Sequence, residues 1–410
     1  MKKDKVIDFS AAVVEKKAPD RKKKKKKERT ALVETAEGYV FKGEDGETSA
    51  KLTNFTLTVE KRIMKGCSLL FIVDVVCGGK VEAEKLAVPA EIFNDLKVFK
   101  NFFQRWVFYG TANTLTLLKE HLLQQEAIDA VGVDYIGLHQ NKDKWFYVGN
   151  TRTIDEEGNE VPDMVLINPQ ISVLSDIESQ MELKSEEARQ LFAHLFSFNE
   201  RARSIVIMLW LISASLNARL WALKRKMPSL EITGEAGSGK SETQEAICMP
   251  LFSTKNKTSC AQLTRFTILK FLCESNLILF FIDEQKFVGK TIHIAGILKE
   301  TLRSAYDKSS GARGQKDQTV KLYNYVRLAC LCGEHSLQET AIVERQIKVQ
   351  LSKLTTLKPE QTASFFFLKN HPELLNSLGK SLLLEALKIT DEEITQDIDV
   401  INKLLKEKLK

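Results

Sequence analysis

The sequence predicts an α/β fold, a parallel sheet with flanking helices, preceded by a smaller α/β domain. Three stretches carry that prediction. "GEAGSGKS" (234–241) lies between "PSLEIT", which reads as a short strand, and "SETQEAICMPLF", which reads as a helix. "LILFFIDE" (277–284) is an unbroken apolar run ending in two acids. Such runs belong to strands buried on both faces of a parallel sheet. "YVRLACLCGEHS" (325–336) is a second run of the same kind, ending at Cys332-Gly333-Glu334. Strands alternating with helical segments are the pattern of a parallel sheet.

With 410 residues the chain is long enough for two or three domains, and its 43% hydrophobic and 28% charged content is that of a globular protein. The net charge of +6 is unevenly placed. Residues 1–30 hold 13 Lys/Arg against 5 Asp/Glu, so the remaining chain is slightly acidic. The seven cysteines are scattered without zinc-ligand spacing, which reads as reduced thiols in a cytoplasmic protein, or a nuclear one if the host is eukaryotic. Cys330 and Cys332 lie two apart on one strand face and read as core packing. The basic N-terminus lacks the apolar segment of a secretory signal. The most apolar run, "SIVIMLWLISASLNA" (204–218), is too short to span a bilayer and reads as a buried helix.

In chain order, the lysine run in "APDRKKKKKKERT" predicts a disordered basic tail over 1–30. Two readings stand for it: a solubilising tail, or an electrostatic arm for nucleic acid. Residues 31–180 predict an α/β accessory domain. "FTLTVEKRI" alternates Phe55, Leu57 and Val59 on one face, and "SLLFIVDVV" is a stronger strand closed by the turn "CGGK". "PAEIFNDLKVFKNFFQRW" predicts a helix with a phenylalanine-rich core stripe, and "TLTLLKEHLLQQEAI" another. "KWFYVGNTRTIDEEGNEVPDMVLI" predicts a hairpin or small sheet. Residues 181–227 predict a helical connector of two helices, with His194 as a core or boundary residue. The informative block is 228–355, and 356–410 predicts a helical C-terminal lid.

Gly234-x4-Gly239-Lys240-Ser241 matches the Walker A pattern. Glycines let backbone N–H groups turn inward toward phosphate oxygens, and a following helix N-terminus favours negative charge. Gly234, Glu235, Ala236, Gly237, Ser238, Gly239, Lys240, Ser241 and Glu242 are therefore the expected ATP-binding residues. Lys240 is expected on the β- and γ-phosphates, and Ser241 on Mg²⁺. At the end of the apolar strand Asp283 is expected to hold Mg²⁺, and Glu284 to orient or deprotonate an attacking water. An acid after Asp283 points to hydrolysis.

Three further positions complete the expected site. A polar group after the 325–332 strand would sense the γ-phosphate; Cys332 is an unusual occupant of that position, and Glu334 is the better polar group. "LQETAIVERQIKVQLS" predicts a helix ending near Arg345 and then a strand. Arg345 reads as an arginine finger reaching a neighbouring subunit, or as a helix-end charge complementing the dipole. "AYDKSSGARGQKDQTVKLYNYV" holds an excess of basic residues and predicts a mobile hairpin with a basic tip. Arg313, Lys316 and Lys321 are its candidate DNA contacts, a plain solvated loop being the alternative.

The ordered set "MPSLEITGEAGSGKSETQEAI", "TRFTILKFLCESNLILFFIDEQK", "SGARGQKDQTVKLYNYVRLACLCGEHS" and "ETAIVERQIKV" resembles the helicase half of phage and mobile-element primase-helicases. These are ring-forming P-loop ATPases with an AAA+-like, superfamily 3 or MCM-like core. The resemblance covers about 184–355 and includes the apolar helix upstream of Walker A. It implies a hexameric ring with ATP between subunits, a hairpin pointing at a central DNA channel, and single-stranded or forked DNA as partner. Cys332 departs from the family's sensor, and no primase signature is present, so a separate primase or polymerase would supply that activity. No membrane partner is expected. Two other classes use such a core: replication initiators or loaders switched by ATP, and regulatory or anti-phage defence ATPases.

Overall fold

The loop at 234–241 owes its position to five parallel strands. In this computed structural model, which describes residues 31–42, 48–168, 170–285, 292–314, 320–334, 336 and 339–408, the strands lie in the order Lys257–Ser259, Phe280–Gln285, Ala329–Gly333, Ser229–Thr233, Gln346–Gln350. All four pairings are parallel. Counted along the chain, the second, third, fourth, first and fifth strands are neighbours. The first and third therefore flank the fourth, and their C-terminal ends open on the same side, where α/β sheets place ligands. Leu277 to Ile282 are all buried, as expected for a strand covered on both faces. The register of this strand slips between Ile282 and Gln285, an irregularity of the kind that re-aims side chains.

The chain forms two compact units. Among the described residues, the first comprises those up to Thr58 with Val73–Leu86 and Ala90–Gln125, and the second Val59–Ile72, Ala87–Pro89 and those from Glu126 onward.

In the first unit, strands Ala31–Thr35, Gly38–Lys42 and Thr48–Lys51 form an antiparallel sheet. Phe55, Phe93, Phe99 and Phe103 are buried, and the Phe55 and Phe103 rings stack at 5.4 Å. The phenylalanine stripe is thus core. The single helix expected there is broken: a 3₁₀ turn, Ala90–Asn94, precedes the helix Leu96–Phe102. Asp95 between them is extended, and its carboxylate accepts from the N–H groups of Lys97 and Val98 at 2.7 and 3.0 Å, an N-cap that starts a new helix.

In the second unit one hydrophobic core spans the chain from Ile136 to Leu387. Ile136, Leu138 and Tyr147 pack in the same cluster as Leu230 and Ile232 of the first core strand and Leu375 and Leu383 of helix Pro372–Lys388. The expected small sheet is three antiparallel strands, Gly137–Asn141, Lys144–Val148 and Thr153–Ile154. It is tied down by the Asn276 amide, which donates to the Leu138 carbonyl at 2.7 Å and accepts from its N–H at 2.8 Å. The connector has three helices rather than two: Ser185–Leu195, Arg201–Ala214 and Asn217–Ala222. The apolar helix buries Ile207, Met208, Trp210 and Leu211, and Trp210 Nε1 donates to the Pro228 carbonyl at 2.8 Å. Among the described residues no helix is long and apolar enough to cross a membrane.

The C-terminal helices are Pro359–Asn370, Pro372–Lys388 and Asp391–Lys408. Gly379 lets the middle one approach the backbone of the turn Pro250–Phe252: a Cβ there would lie 1.8 Å from the Leu251 carbonyl oxygen. Cys330 and Cys332 are buried beside Cys248, and all seven cysteines are free thiols.

Candidate functional site

Strand Ser229–Thr233 ends at Gly234, and the helix begins at Lys240. The turn between them needs glycine: Gly237 and Gly239 have φ of 78° and 74°. At Gly234 a Cβ would lie 2.5 Å from Ser238 Oγ. Lys240 folds back over the loop and donates to the carbonyls of Gly234 and Glu235, each at 2.8 Å. The expected helix continues as a π-helical turn, Gln244–Cys248, in which the Met249 N–H reaches the Gln244 carbonyl at 2.9 Å. Two outer ion pairs brace this segment, Lys353 with Glu235 and Lys369 with Glu242, each at 2.6 Å.

The third core strand brings Asp283 to this loop. Ser241 Oγ donates to Asp283 Oδ1 at 2.9 Å. Lys257, from the edge strand, donates to Asp283 Oδ2 at 2.9 Å and also pairs with Glu245. The Asp283 side chain is only 6% exposed. Lys257 is held above the usual lysine range, by Glu245 first and Asp283 after burial is counted, so it stays cationic. A hydroxyl and a carboxylate in contact are hard oxygen donors, and Mg²⁺ takes one or two such protein ligands together with phosphate oxygens. The residues fit that ion. Among the described residues no cluster of three His, Cys, Asp or Glu offers a site for a different metal.

Glu284 follows Asp283 on the strand; its side chain lies outside the described residues. Cys332 is buried, its thiol pushed up by burial and then by the Asp283 charge, with Lys240 and Ser241 also acting on it. It is a neutral neighbour of the Ser241–Asp283 pair. Glu334 is exposed just beyond the same strand.

Arg345 is not brought to this cluster. Its carbonyl accepts from the Ser229 N–H at 3.1 Å, at the start of the strand whose far end carries Gly234. Five strand residues separate those ends by about 16 Å. Arg345 Nη1 donates to the Ala341 carbonyl at 2.6 Å, Nη2 lies 4.0 Å from Asp307, and its buried Nε has no hydrogen-bond partner among the described residues.

The basic hairpin forms as two antiparallel strands, Ser310–Gly314 and Val320–Asn324, with Arg313 opposite Lys321. Lys316, at the expected tip, lies outside the described residues, as does the tail over 1–30. The Arg313 guanidinium sits 4.1 Å from the centre of the Phe266 ring, which meets Tyr323 edge-on at 6.4 Å; Lys321 lies over Tyr323 at 5.5 Å.

Sequence reasoning missed Lys257, Glu245 and Phe266. Lys257 sits in "STKNKTS", which reads as a polar loop with no periodic signal. It also missed buried Glu231, which accepts from Ser336 Oγ at 2.7 Å and faces Lys348 at 3.4 Å.

No protein-family model matches the chain, and no curated protein matches it in sequence. Among solved structures it is similar to one described as SCCmec type IV Cch, active helicase, with 11% identity and a TM-score of 0.49, covering 86% of this chain and 63% of that one. It is also similar to the apo NrS-1 C-terminal region (11%, 0.38, covering 81% and 68%) and to JCV helicase with a bound acetamide compound (15%, 0.28, covering 53% and 61%). The chain thus spans somewhat less than two thirds of the length of the first of these structures.

Proposed function

We propose that the chain is an ATP-dependent motor that moves along DNA, a replicative helicase of a phage or mobile genetic element acting as a ring of identical subunits. The observation that carries the nucleotide half of this reading is the contact of Ser241 with Asp283 beneath a loop whose lysine, Lys240, faces the loop interior. In this reading Lys240 exchanges its two carbonyl partners for the β- and γ-phosphates of ATP. Ser241 and Asp283 would hold Mg²⁺, which would supply neutralisation of phosphate charge. Glu284 orients the attacking water, and Glu334 stands on the γ-phosphate side. Catalysis is then positioning and charge neutralisation in a preorganised site.

The DNA half rests on the hairpin. Arg313 and Lys321 face each other across it and lie against Phe266 and Tyr323, a mix of cations and rings suited to a single strand's phosphates and bases. In this reading Arg345, which lies far from its own phosphate loop, serves a neighbour's γ-phosphate. The phage or mobile-element setting and the ring come from the family resemblance.

The test is ATP hydrolysis with and without single-stranded DNA, paired with strand displacement on a forked duplex. The wild-type chain should show DNA-stimulated hydrolysis and displacement, and Lys240→Ala should lose both. Displacement surviving in Lys240→Ala would sink the site; hydrolysis indifferent to DNA would sink the motor.

A further inference from the structure

Lys257 is unexplained by the motor reading. It comes from the edge strand of the sheet, crosses to the buried end of the third strand, and places its ammonium 2.9 Å from Asp283 Oδ2, while Ser241 occupies Oδ1. Its other carboxylate partner, Glu245, projects from the helical segment that follows the phosphate loop. The ammonium is thus shared between a carboxylate 6% exposed and one 49% exposed.

We propose that Lys257 is a positioning residue that competes with the divalent cation for Asp283, and that Glu245 is where its ammonium goes when the cation binds. This rests on the reading of Ser241 and Asp283 as the Mg²⁺ site. A buried carboxylate is costly without a compensating charge. Lys257 supplies that charge at Asp283. A divalent cation at the same carboxylate would stand next to the ammonium in a poorly solvated place, where like charges repel strongly. The lysine has the means to withdraw: its side chain is 37% exposed, its strand is three residues long, and its flexible stem carries a point charge with rotatable donors. Glu245 gives it an acceptor in the more exposed direction. Mg²⁺ binding is thereby coupled to a movement of Lys257 relative to the helix that carries Ser241, so the phosphate loop and the edge strand respond together to the metal–nucleotide complex.

The experiment measures binding of a fluorescent ATP analogue to the full chain while Mg²⁺ is titrated, in the wild type, Lys257→Met, Glu245→Gln and Asp283→Asn. Lys257→Met should reach half-maximal Mg²⁺ enhancement at about tenfold lower Mg²⁺, and Glu245→Gln should need more than the wild type. Far-UV circular dichroism and the cooperativity of thermal melts should match the wild type in both, which reports an intact fold. An equal or higher Mg²⁺ requirement in Lys257→Met overturns the proposal and makes Lys257 an orienting partner of Asp283. A wild type whose binding ignores Mg²⁺, or an Asp283→Asn variant with the wild-type response, removes the metal site itself and the proposal with it.

Discussion

Ser241 donates its hydroxyl hydrogen to Asp283 at 2.9 Å, although the two are 42 positions apart in the chain. The contact joins the start of the helix after the 234–239 loop to the end of the third core strand. Asp283→Ala would remove the carboxylate and leave Lys257 with Glu245 as its remaining acidic partner at this place. ATP hydrolysis should fall by about a hundredfold or more, on the scale of losing a preorganised electrostatic group. Phosphate release at saturating Mg²⁺ measures it.

Arg345 allows a test of subunit sharing. If it completes a neighbour's site, Arg345→Ala and Lys240→Ala are each inactive alone. Mixed before assembly, they should recover part of the wild-type hydrolysis, because some interfaces then pair an intact arginine with an intact loop. No recovery, with assembly of the mixture shown by sedimentation, would leave Arg345 as the local tie to Ala341 that the structure displays.

For the hairpin, Arg313→Ala combined with Lys321→Ala should weaken binding of a labelled single-stranded oligonucleotide and flatten its salt dependence. Two lost phosphate contacts reduce the slope of log affinity against log salt by about 1.4. ATP binding should be unchanged. An unaltered slope would place both residues outside the DNA contact.

Burial holds His139 down at about 4, against the weaker raising effect of its contact with the Tyr135 carbonyl at 2.9 Å. The ring is therefore neutral in the folded chain where the unfolded chain begins to take up a proton near pH 6.5. Stability attributable to this ring is complete above that pH and is lost as pH falls from about 6.5 to 4, by at most about 3 kcal/mol. His139→Gln should show a shallower loss than the wild type in denaturant melts across that window.

Gly379 faces the Leu251 carbonyl at a distance that admits no side chain. Gly379→Ala should destabilise the second unit by about 1–3 kcal/mol, the usual cost of overpacking, despite alanine's better helix propensity. A thermal melt that rises instead would show that helix Pro372–Lys388 can shift.

The α/β class was legible from local pattern. The apolar runs at 277–282 and 329–332 are buried, and the strand–loop–helix at 229–243 forms where the glycines fall. These features depend on neighbours in the chain: side-chain period sets the element, and positive φ demands glycine. Less was legible where tertiary packing competes with pattern. Asp95 breaks a phenylalanine-rich stretch that looks like one helix, because its capping bonds outweigh the continuity of the stripe. The split of "SIVIMLWLISASLNARLWAL" into two helices has no comparable sequence signal.

By itself the sequence determined where a glycine-rich strand–loop–helix would form, from Gly234 to Ser241, and where a buried strand would end in an acid, Asp283. Only the tertiary structure decided what stands beside them. Lys257 reaches Asp283 because the edge strand pairs with the third strand in parallel, with Lys257 opposite Phe281 and Ser259 opposite Asp283. Arg345 lies at the far end from Gly234 because the fifth strand runs parallel to the first and begins beside Ser229. Sheet order and register bring together residues distant in the chain, and neither is encoded in the local pattern that marks each strand.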